Sequence, residues 1–162
     1  MRYLILFLLA VAIVALALLI AGQLGFLRGK APQDLGFKDG KLKRPSRTPN
    51  SVSSQANLWA EHPQQAYSAI EPFKISGDGS AEMKKIAEAL KTMPRTVVVT
   101  QTPTYFYAQS TTQLLKFTDD LEFALDASKG IIDVRSASRI GQKDFGVNRA
   151  RIEAIRTAIA PS

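Results

Sequence analysis

Leu4 to Ala21 is an uninterrupted run of 18 apolar residues. No other feature of the chain restricts its fold so strongly. Wound as an α-helix at about 1.5 Å per residue, the run measures about 27 Å. That is close to the ~30 Å hydrocarbon layer of a bilayer. A cleaved secretory signal has a shorter apolar stretch, roughly 7–15 residues, and a small-residue cleavage site. Ala21-Gly22-Gln23 is a poor site of that kind. The run therefore predicts an uncleaved transmembrane signal-anchor helix within residues 1–27. Arg2 and the amino terminus favour a cytoplasmic start, whereas Arg28 and Lys30 on the other flank oppose it under the positive-inside rule.

The remaining chain is long enough for one domain and a connection. The net charge of +7 is unevenly spread. Residues 28–47 hold seven basic and two acidic side chains, and residues 48–162 hold thirteen and twelve. Residues 28–60 read as a basic linker rich in Pro and Ser, without sustained period. Its cations suit either a solvated connection or attachment of residues 28–47 to anionic lipid, at about 1 kcal/mol per well-placed cation. No aromatic interleaving accompanies them, so nucleic acid is not an expected partner. The chain has no cysteine and one histidine, His62, in a polar stretch that predicts exposure. Disulfide and thiolate chemistry are excluded, and no metal site or cofactor is expected.

Residues 61–162 carry the domain. Tyr67–Ile75 reads as a weak strand interrupted by Pro72. Ser80–Met93 reads as a helix capped by Ser80, with Met83, Ile86, Ala87, Leu90 and Met93 on one face and Pro94 as its stop. Strands are expected at Thr96–Gln101, Tyr105–Ser110, Phe117–Asp126 and from Ile131. A last helix is expected from an Asn148 cap to Ala160, with Val147 and Ile152 as a hydrophobic staple. Short turns between successive strands make them antiparallel. The expected class is α+β: an N-terminal transmembrane helix, then a small antiparallel sheet of four to five strands covered by two helices.

The polar centre lies between Phe117 and Glu153. Read with period two, Leu121, Phe123 and Leu125 share a face with Asp119, while Asp120, Glu122 and Ala124 take the other. Pairing Asp126 with Ile131 sets Phe123 opposite Val134 and Glu122 opposite Arg135. Asp119 is then a carboxylate on the apolar side and requires a partner. This phase predicts that Asp119→Asn costs more stability than Asp120→Asn. Arg149 and Arg151 fall in the first turn of the last helix, where the dipole disfavours cations, so a local anion is expected.

F-x-D-D-x-E-F, then D-V-R-S-A-S-R-x-G-x-x-D-F-G-V-N-R-x-R-I-E, resembles the domain of unknown function 1499 family. Asp119, Asp120, Glu122, Asp133, Arg135, Ser136, Ser138, Arg139, Gly141, Asp144, Gly146, Asn148, Arg149, Arg151 and Glu153 carry the resemblance, which extends upstream to Leu42. Residues 42–55 resemble the family's C-P-x-x-P-N-C-V-S-S segment, with Arg44 and Ser51 at the cysteine positions. The resemblance implies an exported or membrane-anchored protein, and hence a bacterial inner-membrane protein with its domain on the periplasmic side. It implies no activity.

Three readings of the polar residues follow. Arg135, Ser136, Ser138, Arg139, Arg149 and Arg151 offer charge-assisted hydrogen bonds to a small anion or a protein partner. Asp119, Asp120, Glu122, Asp133, Asp144 and Asn148 with these arginines make a self-neutralising structural cluster. Asp120 and Glu122, on one strand face, are the pair a hydrolase-like or metal-dependent enzyme would use. No nucleophile elbow, phosphate loop or H-E-x-x-H accompanies them, so no catalytic residue is assigned. The expectation is a membrane-tethered, non-catalytic exported domain that binds a partner or a small anion at the Arg/Asp cluster. The readings are separable: a structural cluster leaves every arginine engaged, whereas a binding site leaves at least two converging unpaired on a concave surface.

Overall fold

The computed structural model describes residues 1–160; residues 161–162 of the expected domain lie outside them. Helix α1 spans Arg2–Gln23 and is long and apolar enough to cross a membrane, with none of its apolar window buried against the protein.

Six strands form one antiparallel sheet: β1 (Ser51–Ser53), β2 (Phe73–Lys74), β3 (Thr96–Gln101), β4 (Tyr105–Thr111), β5 (Thr118–Asp126) and β6 (Ile131–Ser138). Their order is β1-β6-β5-β4-β3, and β2 pairs with β6 beside β1. The β5–β6 register joins Asp126 to Ile131, Phe123 to Val134 and Glu122 to Arg135, as the alternation of oily and charged residues requires. Three short elements complete the fold's first half and middle: a 3-10 turn at Ala56–Leu58, helix α2 (Gln65–Ser68) and helix α3 (Gly79–Thr92). Helix α4 (Val147–Ile159) closes it.

One face of the sheet is the apolar core. Phe106, Leu121, Phe123, Ile132 and Val134 pack with Met83, Ile86 and Leu90 of α3 and with Ile152 and Ile155 of α4. Each fully buried side chain of this size stabilises the fold by about 1.5–3 kcal/mol. Phe73 meets Phe123 edge-on at 6.0 Å, and the Arg156 guanidinium lies over its ring at 4.4 Å.

The opposite face is covered too, and periodicity did not predict this. Residues 28–50, the first part of the stretch 28–60 read as linker, lie across it as a strap. The Gly36 N–H donates to Glu122 Oε1 at 2.8 Å. The buried Leu42 donates its N–H to Gln55 Oε1 at 2.7 Å, and Gln55 Nε2 donates to Gly40 O and to Asp133 Oδ2, both at 2.8 Å. The sheet gains β1 from this same stretch, which raises the expected four to five strands to six. Three residues flanked by Pro and Ser are too few to show a period.

Local expectations also change. Asp78, not Ser80, caps α3: its Oδ1 accepts the Ser80 N–H at 2.9 Å. Gly146, at φ +82°, is the first residue before α4, and Asn148 is buried inside the first turn. The capping role falls to Asp144, which accepts the N–H groups of Gly146 and Asn148. Val147 is 47% exposed, so it forms no staple with Ile152. Tyr67 belongs to α2, and the strand expected at Tyr67–Ile75 shrinks to Phe73–Lys74 after Pro72. His62 is half-buried, with Nδ1 accepting the Gln64 N–H at 3.2 Å.

Candidate functional site

Three acid–arginine pairs span the β5–β6–α4 region, on both faces of the sheet. On the helix face, Arg151 Nη2 of α4 donates to Asp119 Oδ2 at 2.7 Å. On the strap face, Arg139 grips Asp120 with Nε at 2.9 Å and Nη2 at 2.8 Å. Arg135 Nη1 reaches Glu122 Oε2 at 3.3 Å across the hairpin. No side chain in the three pairs is more than 10% exposed. Adjacent positions on β5 point oppositely. Asp119 and Asp120 therefore serve different faces and do not share a ligand.

Tyrosines of β4 complete the strap-face pairs. Tyr107 donates its O–H to Asp120 Oδ1 at 2.6 Å, and Tyr105 donates to Glu122 Oε1 at 2.8 Å. Burial raises both phenols above their ordinary range, and the facing carboxylates add to the rise, so both stay neutral donors. The hydrogen bond to Asp120 holds the Arg139 guanidinium above its ordinary value. Arg135 Nε is buried and has no partner among the described residues.

Asn148 is the hub on the helix face. Its Oδ1 accepts the Ser136 hydroxyl at 2.5 Å and Arg151 Nη1 at 3.1 Å. Its amide N–H₂ is shared among Asn50 O, Ser138 Oγ and Asp144 Oδ2, at 3.1, 3.0 and 2.9 Å. Asp144 also accepts the Tyr67 hydroxyl. Burial alone would push the Asp144 carboxyl up. Hydrogen bonds from Tyr67, Asn148 and the Gly146 N–H outweigh it and hold the group below the ordinary carboxylate value. Arg149 Nη2 donates to the Tyr67 and Ala69 carbonyls at 2.7 and 2.8 Å. Asp133 accepts Ser54 Oγ at 2.6 Å as well as Gln55.

Of the residues proposed from sequence, Ser136, Ser138, Asn148, Asp144, Asp119 and Arg151 come together in one network. Arg135, Arg139, Asp120 and Glu122 stand on the other side of the sheet. Arg149 turns away to α2. Each of the four arginines donates to a carboxylate or a carbonyl. Asp120 and Glu122 share a face, but each is occupied by a guanidinium and a tyrosine. Among the described residues no group of three His, Cys, Asp or Glu is placed to hold a metal ion. Sequence reasoning missed Tyr105, Tyr107, Tyr67, Asn50, Gln55 and Gly36. Only the two β4 tyrosines left a signal, standing two residues apart on the face that Asp120 and Glu122 share across the β4–β5 pairing.

A separate cleft of about 530 Å³ lies beside the strap, lined by Arg44, Arg47, Trp59, Glu61, His62 and Pro63. His62 Nε2 is sealed there without a partner among the described residues.

No curated protein and no solved structure matches the chain. The family described as "Protein of unknown function (DUF1499)" matches residues 41–159, from the second half of the strap to the end of α4. The match covers every strand and every paired acid and arginine described above, and the chain belongs to the DUF1499 family.

Proposed function

We propose that this chain is a single-pass membrane protein presenting a rigid, non-catalytic recognition domain at the bilayer surface, with its acid–arginine pairs as the internal frame. The observation that supports the reading best is the seating of α1 on the domain. Gln23 Nε2 donates to Leu114 O at 2.9 Å, in the turn between β4 and β5. Gly22 lies so close to Leu115 that a Cβ would stand 2.7 Å from its carbonyl oxygen. A helix seated in this way fixes the domain's attitude to the membrane. A solvated 30-residue tether would not. The pairs support the second half of the reading, because each of these guanidinium groups is already engaged by a buried carboxylate.

The proposal places the domain on the periplasmic side of a bacterial inner membrane, following the export that the family resemblance implies. An introduced cysteine tests the span and the side together, since the chain has none of its own. Ser128→Cys is expected to react with an impermeant maleimide in intact spheroplasts, and Arg2→Cys only after lysis. Release of the protein by alkaline carbonate would remove the span, and the opposite labelling pattern would invert the side.

One observation favours anion binding at a place other than the paired arginines. His62 lines the cleft beside the strap, with Nδ1 accepting the Gln64 N–H and Nε2 buried without a partner among the described residues. The exposed Arg44 and Arg47 line the same cleft. Calorimetric titration with inorganic phosphate is expected to show binding that Arg44→Ala with Arg47→Ala abolishes. Binding instead lost in Arg135→Ala with Arg139→Ala would return the site to the sheet.

A further inference from the structure

The end of the domain nearest α1 carries an apolar and basic rim that the fold does not use. The antiparallel order places the start of β3, the end of β4, the start of β5 and the end of β6 at one end of the sheet. Hydrogen bonds confirm the neighbourhood: Thr111 N–H to Arg95 O at 3.0 Å, and Arg139 N–H to Thr118 O at 3.1 Å. The α1 exit seats on the Leu114–Leu115 turn at this same end.

Here Leu114 is 63% exposed and Phe145 is 93% exposed, with Ile140 and Phe26 also open. Exposed apolar side chains gathered at one place mark interaction or membrane sites, whereas single ones are ordinary. Three of the four non-glycine residues with positive φ lie at this end: Arg95 (+56°), Lys116 (+56°) and Phe145 (+53°). Side chains rarely adopt that conformation, and it persists where the surrounding structure enforces it. The charge is one-sided. Residues 22–32, 94–96, 111–117 and 139–147 contain six basic side chains, of which Arg139 is buried against Asp120, and one acid, Asp144, which is also buried and bonded. At the opposite end Asp126 is paired with Lys129.

We propose that this end is a lipid-facing surface: Leu114 and Phe145 enter the headgroup layer of the bilayer that α1 crosses, and Arg95, Lys116 and Lys143 hold anionic headgroups. Aromatic and aliphatic side chains at a membrane interface bury apolar area, and cations beside them gain from anionic lipid. Continuity with α1 selects lipid over a protein partner, because the rim begins where the apolar helix ends. The proposal rests on α1 spanning the bilayer.

The test uses the full chain in phosphatidylcholine vesicles, with and without phosphatidylglycerol. Single cysteines at Val11, Leu114, Phe145 and Ser128 carry a fluorophore, and nitroxide lipids of graded depth quench it. Expected are deep quenching at Val11, shallow quenching at Leu114 and Phe145 that rises with phosphatidylglycerol, and none at Ser128, on the β5–β6 turn. Labels at Leu114 and Phe145 quenched no more than Ser128 would overturn the proposal while Val11 still reports a span. Loss of quenching at Val11 as well would overturn both readings. Lys116→Gln with Lys143→Gln is expected to abolish the rise with phosphatidylglycerol, and an unchanged rise would overturn the role of the cations.

Discussion

Asp120→Asn is expected to destabilise the domain more than Asp119→Asn, the reverse of the order that strand phase alone predicts. Asp120 accepts two guanidinium N–H groups and the Tyr107 hydroxyl, with side-chain exposures of 7% and 2% across the pair. The substitution leaves a buried guanidinium facing a neutral amide, and one of the two N–H bonds must go. Removing one partner of a buried pair costs about 3–5 kcal/mol. The retained amide oxygen sets the figure here near the lower bound. Asp119 accepts one guanidinium N–H, and Arg151 keeps Asn148 and Ser136 as alternative acceptors. One charge-assisted hydrogen bond is worth about 1.5–3 kcal/mol. Urea unfolding of the full chain in detergent micelles measures both, with Trp59, the single tryptophan, as the fluorescent reporter. A cycle with Arg139→Met should show coupling of about 2 kcal/mol, within the range for contacting residues. An Asp119→Asn loss equal to or larger than that of Asp120→Asn would refute the claim that the strap buries the second face.

Three further outcomes follow from the same contacts. Gly36→Pro removes the N–H that donates to Glu122, at a φ of +120° that proline does not reach, and so should free the strap. Tryptic cleavage after Lys38 and Lys41 is expected to accelerate while α3 and α4 stay protected. Tyr67→Phe deletes a donor to Asp144. The folded-state value of Asp144 is depressed, so its stabilisation is present above the unfolded value of about 3.9 and fades as pH falls through the folded one. The variant should therefore lose about 1.5–3 kcal/mol at pH 7, as for a hydrogen bond to a charged group, and less at pH 3. Equal losses at both pH values would contradict this. Gly22→Leu places a side chain against Leu115 and should unseat α1 from the β4–β5 turn, raising hydrogen exchange at Leu115 and Lys116.

What was legible in the sequence depended on how far apart the interacting residues lie. The β5–β6 hairpin could be read because its evidence is local and doubled: oily residues had to meet oily ones and Glu122 had to meet Arg135 in one register. Asp119 was legible as an anomaly, an acid out of phase, and Arg151 as a second, a cation at the wrong end of a helix. Each explains the other at 2.7 Å. The strap was not legible, because its contacts are single anchors without period. Gly36 meets Glu122 across 86 residues, and Asn50 meets Asn148 across 98. Pro, Ser and Lys between such anchors have the composition of a solvated linker whether or not the backbone is held. That one omission produced the errors about the second face. With the second face assumed wet, Asp120 and Glu122 ranked below Asp119, Tyr105 and Tyr107 had no role, and the arginines on that side were free to be assigned a ligand. Once the strap is in place the same residues become interior, and the unoccupied chemistry moves outward, to the rim beside Leu114 and the cleft at Arg44.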